Sequence, residues 1–510
     1  MKDYSSLQNG SDVRGVAMEI PGGKPVNLTK RAAHDIGFAF GRWLSERTGR
    51  PAEGLRVAIG EDSRLTGPDL SRSIAEGLSL RGVEAYISGM ASTPAMFMCC
   101  AEGGFDGGIM VTASHLPYER NGMKFFTKES GLEKADIKKI LAYAAEVPDK
   151  VDKVGEGTIG SCGVMPSYVD GLKKKILTSL CLPEGARPFE GMKIIVDAGN
   201  GAGGFFATEL LQPLGADITG SLYLEPDGRF PNHEPNPENK EAMKAITNAV
   251  IRSGADMGII FDTDVDRAGA VLPDGNGGAV TLGRNRMIAI MTALLKRQYG
   301  PITVVTDSIT STGLAEFING MGCRHHRFKR GYRNVIVEAQ RLLAEGENAI
   351  FAMETSGHGA LKENYFLDDG AYIIVKLLVE LVRTRNEGRD LLDLIADLRE
   401  PKESSEARLP VLSDDMRSVT ERAFDAVRSY FGGREGYSIV PENYEGVRVN
   451  ADSAHGDGWF LIRCSLHDPL MATNLESDSE GGVKLLAGAI LDCLSDIEEL
   501  DKEALEKLAR

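Results

Sequence analysis

The 510-residue sequence has few of the features that mark membrane or secreted proteins. No uninterrupted apolar run reaches the roughly 18 residues that a membrane helix needs, and the polar start of the chain lacks the apolar core of a signal peptide. The seven cysteines are an odd number, and none forms a C-x-x-C motif, so neither a zinc site nor a redox pair is indicated. A reducing cytoplasm is therefore the expected location.

Positive charge is also scarce, because 58 Lys and Arg face 74 Asp and Glu and leave a formal net charge of −16. A net acidic chain is a poor general binder of nucleic acid, since phosphate contacts need clustered cations. A phosphorylated ligand would have to bind in a local basic pocket. We expect neither a nucleic-acid nor a membrane partner, and the sequence does not reveal the oligomeric state. The 42% of hydrophobic residues is typical of a folded globular protein.

A strand–helix–strand pattern repeats through most of the chain. Apolar, β-rich runs alternate with helical patterns from Leu55 to about Gly370, which predicts βαβ units and parallel or mixed sheets. In three successive stretches a late strand runs into a polar loop, and the strands are predicted at 55–59 and 109–111, 193–196 and 258–261, and 302–305 and 349–352. Ligands bind at the carboxyl ends of strands in α/β sheets, so these three loops are the expected site.

The pattern changes after about Glu400. Short strands with helices around them indicate a smaller α+β domain, and the charged tail from Asp492 to Arg510 is predicted to be an amphipathic helix packed on it. The predicted fold class is therefore α/β, with three similar domains that have mixed sheets and a smaller α+β C-terminal domain. The predicted boundaries are 1–160, 161–282, 283–400 and 401–510.

The first loop places Ser114 beside His115 and closes at Lys124. This suggests a hydrolase nucleophile, but Gly-x-Ser-x-Gly is absent, and a sequence neighbour is rarely the base in space. A strand-end serine with a nearby lysine also suits phosphoryl chemistry, because the hydroxyl can carry the group and the ammonium can neutralise it. A capped turn without catalytic function is the plain alternative.

The second loop has alternating aspartates, Asp262, Asp264 and Asp266, directly after an apolar strand and before Arg267. Three carboxylates at this spacing repel one another unless a cation lies among them, and such hard oxygen ligands favour Mg²⁺. The run Asp262-Thr263-Asp264-Val265 also resembles the HAD-type phosphatases, in which Asp262 would be the phosphorylated nucleophile. Hydroxylamine separates the two interpretations, because it cleaves an acyl phosphate and leaves a serine phosphate intact.

The third loop offers Glu354, Ser356 and His358 within five residues. Vicinal sugar hydroxyls need such acceptors and donors, and a histidine acts as acid or base near neutral pH. A structural turn is the alternative. The following Asp368-Asp369-Gly370 is predicted to cap a helix at Ala371.

A glycine-rich run, Gly199-Asn200-Gly201-Ala202-Gly203-Gly204, matches the G-x-G-x-x-G pattern of dinucleotide-binding folds, and Glu225 follows about twenty residues later. The run lies in the middle repeat, whose other end already carries the aspartates. Glycines at a strand-to-helix turn are ordinary backbone chemistry, so dinucleotide binding is disfavoured.

Taken in order, these loops resemble the α-D-phosphohexomutase superfamily, the phosphoglucomutase and phosphomannomutase enzymes, over essentially the whole chain. One motif of this kind is moderately specific, whereas several in the family's order are highly specific. The segments that carry the resemblance are Val13-Arg14-Gly15, Gly60-Glu61-Asp62-Ser63-Arg64, Thr112-Ala113-Ser114-His115-Leu116-Pro117, Asp262-Thr263-Asp264-Val265-Asp266-Arg267 and Met353-Glu354-Thr355-Ser356-Gly357-His358.

The resemblance implies four domains around a central cleft and a reversible transfer of phosphate between the 1- and 6-positions of a hexose phosphate. It implies that phosphorylated Ser114 is the donor, that hexose 1,6-bisphosphate is the intermediate and activator, and that Mg²⁺ lies between the phosphoryl group and the aspartate loop. The residues that it implies for the metal are Asp262, Asp264, Asp266 and Ser114.

The same resemblance implies roles for the remaining candidates. Proton transfer and charge stabilisation fall to Arg14, Lys124, His358 and Arg267. Substrate binding falls to Glu354 and Ser356 for the sugar hydroxyls, to Tyr332 and Arg333 for distinguishing sugars, and to Arg463 and Ser465 for phosphate. His467 departs from the family pattern, and we expect it, with backbone amides, to replace phosphate donors that this chain lacks.

The C-terminal phosphate loop departs from the family pattern of Arg-x-Ser-Asn-Thr-Glu-Pro with a further arginine. Here Arg463 and Ser465 are kept, but Leu466 and His467 follow, and Ala472 replaces the second arginine. Bidentate arginine–phosphate contacts are not easily replaced. A degenerate member that binds sugar phosphates without turnover is therefore a further alternative. Thr355 lies where phosphoglucosamine mutases usually have Gln, which favours glucose or mannose phosphates.

Overall fold

The computed structural model describes residues 2–150, 154–465 and 469–510, and the chain divides into two compact units. The first unit comprises Met1–Gly283 and Ser356–Leu391, and the second comprises Arg284–Thr355 and Leu392–Arg510.

The first unit contains a seven-stranded mixed sheet in the order β1-β2-β6-β5-β3-β4-β7 and a four-stranded mixed sheet in the order β11-β10-β9-β8. A short antiparallel pair, β15 with β16, completes its strands. The strands are β1 (Gln8–Asn9), β2 (Asp12–Val16), β3 (Arg56–Glu61), β4 (Glu84–Met90), β5 (Gly107–Val111), β6 (Arg120–Thr127), β7 (Ile159–Ser161), β8 (Ile194–Asp197), β9 (Met257–Phe261), β10 (Ala268–Pro273), β11 (Ala279–Leu282), β15 (Gly359–Leu361) and β16 (Leu367–Asp368).

The helices of the first unit begin and end where the sequence supplies caps. The Thr29 side chain accepts from the Ala32 amide at the start of the first helix, and Gly49 ends that helix in the left-handed conformation. The helices are α1 (Lys30–Thr48), α2 (Gly67–Arg81), α3 (Thr93–Ala101), α4 (Lys134–Ala145), α5 (Val164–Ser179), α6 (Lys240–Ser253) and α10 (Gly370–Asn386), with a π-helical turn at Phe206–Leu211.

The second unit has parallel strands near its start and an antiparallel five-stranded sheet, β17-β21-β20-β19-β18, near its end. Its strands are β12 (Thr303–Thr306), β13 (Arg324–Arg327), β14 (Phe351–Met353), β17 (Glu403–Pro410), β18 (Tyr437–Ile439), β19 (Val447–Ala451), β20 (Gly458–Cys464) and β21 (Leu470–Ser477). Its helices are α7 (Asn285–Tyr299), α8 (Thr312–Gly320), α9 (Tyr332–Ala344), α11 (Met416–Phe431), α12 (Gly482–Cys493) and α13 (Glu503–Ala509).

Side-chain alternation orients the antiparallel sheet. Phe460 and Ile462 point into the core of this region, together with Met471 and Leu475 of the neighbouring strand. Arg463 follows Ile462 and therefore lies on the opposite face, where the sheet carries charged side chains.

The predicted α/β fold class, with mixed sheets and a separate α+β C-terminal region, is confirmed. Asp369 caps α10 as predicted, because its side chain accepts from the Tyr372 amide. Cys99 and Cys100 are buried. Among the described residues, no helix combines the length and the apolar character needed to cross a bilayer.

The prediction of one helix from Asp492 to Arg510 is wrong. Only α13 is helical beyond Cys493, and the connection before it buries Leu494, Ile497 and Leu500. The Lys502 ammonium donates to the carbonyls of Leu494 and Ile497, at 2.8 and 2.6 Å, and thereby holds a turn that is not helical.

Candidate active site

Ser114 and the aspartate loop, 148 residues apart in sequence, come together within the first unit. Ser114 follows β5 and Asp262 follows β9, so each lies at the carboxyl end of a buried strand in a different sheet. The Ser114 hydroxyl donates to Asp262 Oδ2 at 3.2 Å and accepts from Arg267 Nη2 at 3.1 Å. Ser114 is 9% exposed and adopts a left-handed φ of 51°, which is uncommon for a residue other than glycine.

The three aspartates form a buried cluster that suits a hard cation. Asp262, Asp264 and Asp266 each offer a carboxylate oxygen, and these oxygens all lie within 4.8 Å of one another. In the part of the chain that the structure describes, Oδ1 of Asp264 and Oδ1 of Asp266 are buried without a hydrogen-bond partner. Buried carboxylate oxygens are rarely left unpaired, so the donor set fits a divalent ion such as Mg²⁺.

The other oxygens of Asp264 and Asp266 are held by two side chains of the same unit. Lys124, on β6, donates to Asp264 Oδ2 at 3.0 Å and also to Asp266 Oδ2. Thr93, the first residue of α3, donates its hydroxyl to Asp264 Oδ2 and its amide to the Asp264 carbonyl. Burial alone lowers the pKa of Lys124, but the two aspartates outweigh it and raise that pKa well above its ordinary value. Sequence reasoning did not identify Thr93, which carried no motif.

Arg267 links the aspartate loop to the Ser114 loop. Its Nε atom donates to Asp262 Oδ2 at 3.0 Å, and its Nη1 atom donates to Asn236 Oδ1 at 3.2 Å. Burial alone lowers its pKa, but the surrounding aspartates raise it above the ordinary value, so the guanidinium stays charged. For Asp262, burial and then Asp266 raise the pKa well above its ordinary value, although Arg267 opposes the shift.

His115 lies near the serine but is a poor base. Its Nδ1 atom is 3.3 Å from Ser114 Oγ and accepts from Arg267 Nη2 at 2.6 Å. Burial, followed by the charges of Arg267 and Arg14, lowers the pKa of His115 to about 2. A general base needs a pKa near the working pH, so the hydrolase interpretation of the Ser114–His115 pair loses support.

Arg14 and Lys124 come from adjacent strands, because β2 pairs with β6 and Arg14 lies opposite Gly122. The buried Arg14 side chain donates to Asp12 Oδ2 at 2.7 Å and to the carbonyl of Thr112. Asp12 thus orients Arg14 beside the serine loop. Sequence reasoning did not single out Asp12.

His358 lies against the aspartate loop. Its backbone forms a bridge with Arg267, and Gly357 allows the approach, since a Cβ there would lie 2.8 Å from the Ala268 carbonyl oxygen. His358 Nδ1 is 2.5 Å from Asp368 Oδ2 and 3.9 Å from Asp266 Oδ1. Burial lowers the pKa of His358, but Asp368 and then Asp266 outweigh it and raise the pKa to about 9.

The predicted sugar-binding residues divide between the units. Glu354, in the second unit, accepts from the Gly331 amide at 2.6 Å, which joins its loop to the start of α9. Tyr332 and Arg333 form the half-buried first turn of that helix. Ser356 belongs to the first unit and is 6% exposed.

Arg463 is the second-last residue of β20, and its side chain is almost fully buried. Among the residues described, its Nε atom has no hydrogen-bond partner. Ala472 lies opposite Arg463 on one side and opposite Arg408 of β17 on the other, so both arginines flank the alanine on one face of the sheet. Ser465 is half-buried, and the predicted phosphate-binding residue His467 lies outside the described residues.

The glycine-rich run packs against the aspartate loop. A Cβ at Gly201 would lie 2.7 Å from the Thr263 carbonyl oxygen, and one at Gly204 would lie 2.4 Å from the Leu224 carbonyl oxygen. The Ala202 amide donates to Thr263 at 2.8 Å. Close backbone packing accounts for these glycines, and the absence of dinucleotide binding stays a prediction.

Comparison with known families places three consecutive matches along the chain. The alpha/beta/alpha domains I, II and III of phosphoglucomutase/phosphomannomutase match residues 6–150, 166–276 and 283–401, respectively. The matches follow the order of the serine, aspartate and Glu354 loops.

Similar proteins match over nearly the whole chain. A phosphoglucomutase of Neisseria gonorrhoeae is 30% identical over 475 residues, covering 93% of each chain. A phosphomannomutase/phosphoglucomutase of Pseudomonas aeruginosa is 29% identical over 478 residues, covering 93% of this chain and 92% of the relative. A probable phosphoglucosamine mutase of Methanopyrus kandleri is 28% identical, covering 92% and 96%. The crystal structure of a phosphoglucomutase/phosphomannomutase family protein of Burkholderia thailandensis is 25% identical, with a TM-score of 0.78 and 98% of each chain covered.

Proposed function

The chain belongs to the phosphoglucomutase/phosphomannomutase family and is a phosphohexomutase, an isomerase; from this we propose that it moves a phosphoryl group reversibly between the 1- and 6-positions of a hexose phosphate. One observation carries the proposal. The Ser114 hydroxyl lies 3.2 Å from Asp262 Oδ2 and 3.1 Å from Arg267 Nη2, so a phosphoryl acceptor, a cation-binding cluster and a buried guanidinium share one place.

In the proposed cycle, phosphorylated Ser114 donates its phosphoryl group to the free hydroxyl of a hexose monophosphate. The P–O bond to serine breaks as the bond to the sugar oxygen forms. The hydroxyl proton passes to a nearby base, and the released serine oxygen takes up a proton to become the hydroxyl again. The hexose 1,6-bisphosphate then turns, and its other phosphoryl group returns to Ser114. The products are the isomeric monophosphate and the regenerated phosphoserine, so atoms and charge balance.

The negative charge of the transferred phosphoryl group must be neutralised, because phosphoryl transfer depends on positioning and electrostatic stabilisation. Arg267 and Arg14 would neutralise the phosphoryl oxygens. Lys124, whose pKa two aspartates raise well above its ordinary value, would act as a further cation. His358 is the proposed proton carrier, with Asp368 orienting the imidazole through its bond to Nδ1.

Mg²⁺ is the proposed cofactor, and Asp262, Asp264 and Asp266 would hold it together with an oxygen of the phosphorylated serine. A bound Mg²⁺ supplies Lewis-acid stabilisation of the transferring group. The buried, unpartnered Oδ1 atoms of Asp264 and Asp266, counted over the described ranges, support this assignment.

Substrate binding is assigned to other residues. Glu354 and Ser356 are proposed to hold the sugar hydroxyls, and Tyr332 with Arg333 to distinguish sugars. Arg463 and Ser465 are proposed to hold the phosphate that is not transferred, and His467 stays a prediction for the same role.

Arg408 is proposed to replace the guanidinium that the family has at the position of Ala472. Arg408 lies one strand away from Ala472, on the same face of the sheet as Arg463. Its side chain is 67% exposed, and in the described chain Glu406 is its one hydrogen-bond partner. A long, exposed arginine is able to reach across the small alanine toward a phosphate bound at Arg463.

Glucose or mannose phosphate is the proposed substrate, because Thr355 lies where phosphoglucosamine mutases usually have Gln. A ³¹P NMR time course tests the whole proposal. Glucose, mannose and glucosamine 1-phosphates are offered separately with Mg²⁺ and a trace of glucose 1,6-bisphosphate. Conversion of a 1-phosphate resonance into a 6-phosphate resonance supports the mutase activity. The 1-phosphate that is converted fastest identifies the preferred sugar.

Two other outcomes are informative. Accumulation of inorganic phosphate would favour a phosphatase with Asp262 as nucleophile, and hydroxylamine sensitivity of the phosphorylated protein would confirm an acyl phosphate. No change in any tube would leave a sugar-phosphate-binding protein without turnover.

A further inference from the structure

The guanidinium of Arg64 is bonded to four backbone carbonyls of the loop that carries Ser114. Its Nη2 atom donates to the carbonyls of Ser114 and Leu116, both at 2.5 Å. Its Nη1 atom donates to the carbonyls of Pro117 and Arg120, at 2.8 and 2.9 Å. One side chain thus holds both ends and the middle of this loop.

Asp62 fixes Arg64 from the other side and reaches the same loop. Asp62 Oδ1 accepts from the Arg64 amide at 2.8 Å, and Asp62 Oδ2 lies 3.3 Å from Arg64 Nε. The same Oδ2 accepts from the Thr112 hydroxyl at 2.7 Å, and that hydroxyl accepts from the Ser114 amide at 2.9 Å. The Asp62 carboxylate therefore connects Thr112, at the start of the loop, to the Arg64 guanidinium that holds the rest of the loop.

A neighbouring segment encloses the guanidinium. The ring of Phe230 lies 5.1 Å from Arg64 Cζ. Gly228 packs directly on the preceding turn, because a Cβ there would lie 2.2 Å from the Ser63 carbonyl oxygen. The Arg64 side chain is 0% exposed, so it has no other position to occupy.

The loop needs such support, because Ser114 adopts a φ of 51°. A left-handed conformation is unfavourable for a residue other than glycine and persists only when its surroundings impose it. The planar guanidinium of Arg64 supplies that constraint through its four hydrogen bonds to the loop carbonyls.

We propose that Arg64 is a positioning residue for phosphoryl transfer, which holds the Ser114 loop in the geometry that presents the serine oxygen to Arg267 and Asp262. This inference rests on the proposed function of Ser114. Because the polar contacts of the Arg64 side chain in the described part of the chain are to the loop backbone and Asp62, its loss should misplace the serine and slow the chemical step without removing a substrate contact. The expected effect is a lower kcat at a nearly unchanged KM for the sugar phosphate.

The test compares Arg64→Ala and Arg64→Lys with Arg448→Ala as a matched control. Arg448 is another fully buried arginine that donates to backbone carbonyls, those of Ser308 and Thr310, in the second unit. Arg64→Ala should lower kcat by about 100-fold, the cost of a misplacement of about 1 Å, and change KM less than about threefold. Methylguanidinium added at millimolar concentration should restore part of the lost kcat in Arg64→Ala and none in Arg448→Ala.

Hydrogen exchange of the peptide that covers 112–120 gives a readout independent of turnover. Exchange should accelerate in Arg64→Ala and slow again with methylguanidinium, whereas Arg448→Ala should match the parent protein. If Arg64→Ala does not fold, Arg64→Lys decides, because its compact ammonium cannot serve four carbonyls and kcat should still fall.

Parent-like kcat and exchange in a folded variant, or a loss confined to KM, would overturn the proposal. If the parent protein shows no mutase turnover, the proposed function fails, and the exchange measurement still decides whether Arg64 holds the loop.

Discussion

The Nζ atom of Lys124 lies 3.0 Å from Oδ2 of Asp264, so one ammonium partly neutralises a cluster of three buried carboxylates. Lys124 also bonds to Asp266, yet Oδ1 of both aspartates still has no hydrogen-bond partner among the described residues. Lysine and a divalent ion can therefore share this cluster, each taking a different oxygen of the same carboxylate.

Asp264→Asn should weaken Mg²⁺ binding by at least about 100-fold and abolish Mg²⁺-dependent turnover, because a charged ligand becomes a neutral amide. Thr93→Val, which removes only the hydroxyl that orients Asp264, should weaken binding by about 10- to 100-fold. Isothermal titration with Mg²⁺ and with Mn²⁺ measures both. An unchanged metal requirement in Asp264→Asn would contradict the assignment of the aspartate loop.

Ser114→Ala should lower mutase turnover by about 10⁴-fold or more and leave the fold intact, because the variant lacks the oxygen that carries the phosphoryl group. Labelling with ³²P-glucose 1,6-bisphosphate should mark the parent protein and not the variant. The label should resist hydroxylamine. Retained mutase activity in Ser114→Ala would contradict the mechanism.

Arg463→Ala should raise KM by about 10- to 100-fold with a smaller effect on kcat, since a charged hydrogen bond to phosphate contributes about 1.5–3 kcal/mol. Arg408→Ala should raise KM in the same direction by a smaller factor. Arg417→Ala is the control, because Arg417 is 88% exposed and pairs with Glu421 in the same C-terminal region. Steady-state kinetics measure all three, and KM values equal to that of the control would place the phosphate elsewhere.

Asp368→Asn should lower the pKa of His358 from its value of about 9, because Asp368 is the strongest group that raises it against the effect of burial. NMR titration of the imidazole in the metal-free protein measures this change. A raised pKa stabilises the fold fully below the ordinary value of about 6.5, and the contribution is lost as pH rises through 9. The variant should therefore lose more stability at pH 6 than at pH 10, and equal losses would point to another partner for His358.

Asp35→Asn should make the first unit less stable at neutral pH. Burial raises the pKa of the Asp35 carboxyl, but hydrogen bonds from His34, Lys2, Arg31 and Tyr4 outweigh it and lower the pKa to about 2. Such a group contributes about 2 kcal/mol above the unfolded pKa, and the contribution is lost as pH falls from about 4 to about 2.

Urea denaturation at pH 7 and pH 2.5 measures the difference in the free energy of unfolding between Asp35→Asn and the parent protein. The difference should be full at pH 7 and much smaller at pH 2.5. Asp69→Asn is the control, since the Asp69 side chain is 51% exposed and its pair with Lys30 should contribute little. A pH-independent loss would contradict the proposed cause.

The sequence predicted the strands that end at the site, because buried parallel strands are continuous apolar runs and polar residues follow them abruptly. Asp262, Asp264 and Asp266 were recognisable for that reason. The supporting residues Thr93, Asp12 and Asn236 were not, because each acts through a contact between distant segments and carries no local pattern. The tail was mispredicted since its charged periodicity looked helical, while burial of Ile497 and Leu500 selected a turn.

Because the Nη atoms of Arg64 donate to backbone carbonyls of the serine loop, the guanidinium recognises the path of that loop and not its side chains. Any side chain at 115–119 that tolerates the local backbone leaves those four acceptors in place. Leu116 is one such side chain, because its contact with Arg64 is made by its carbonyl. Substitutions in this loop can therefore change its side-chain contacts while the serine keeps its position.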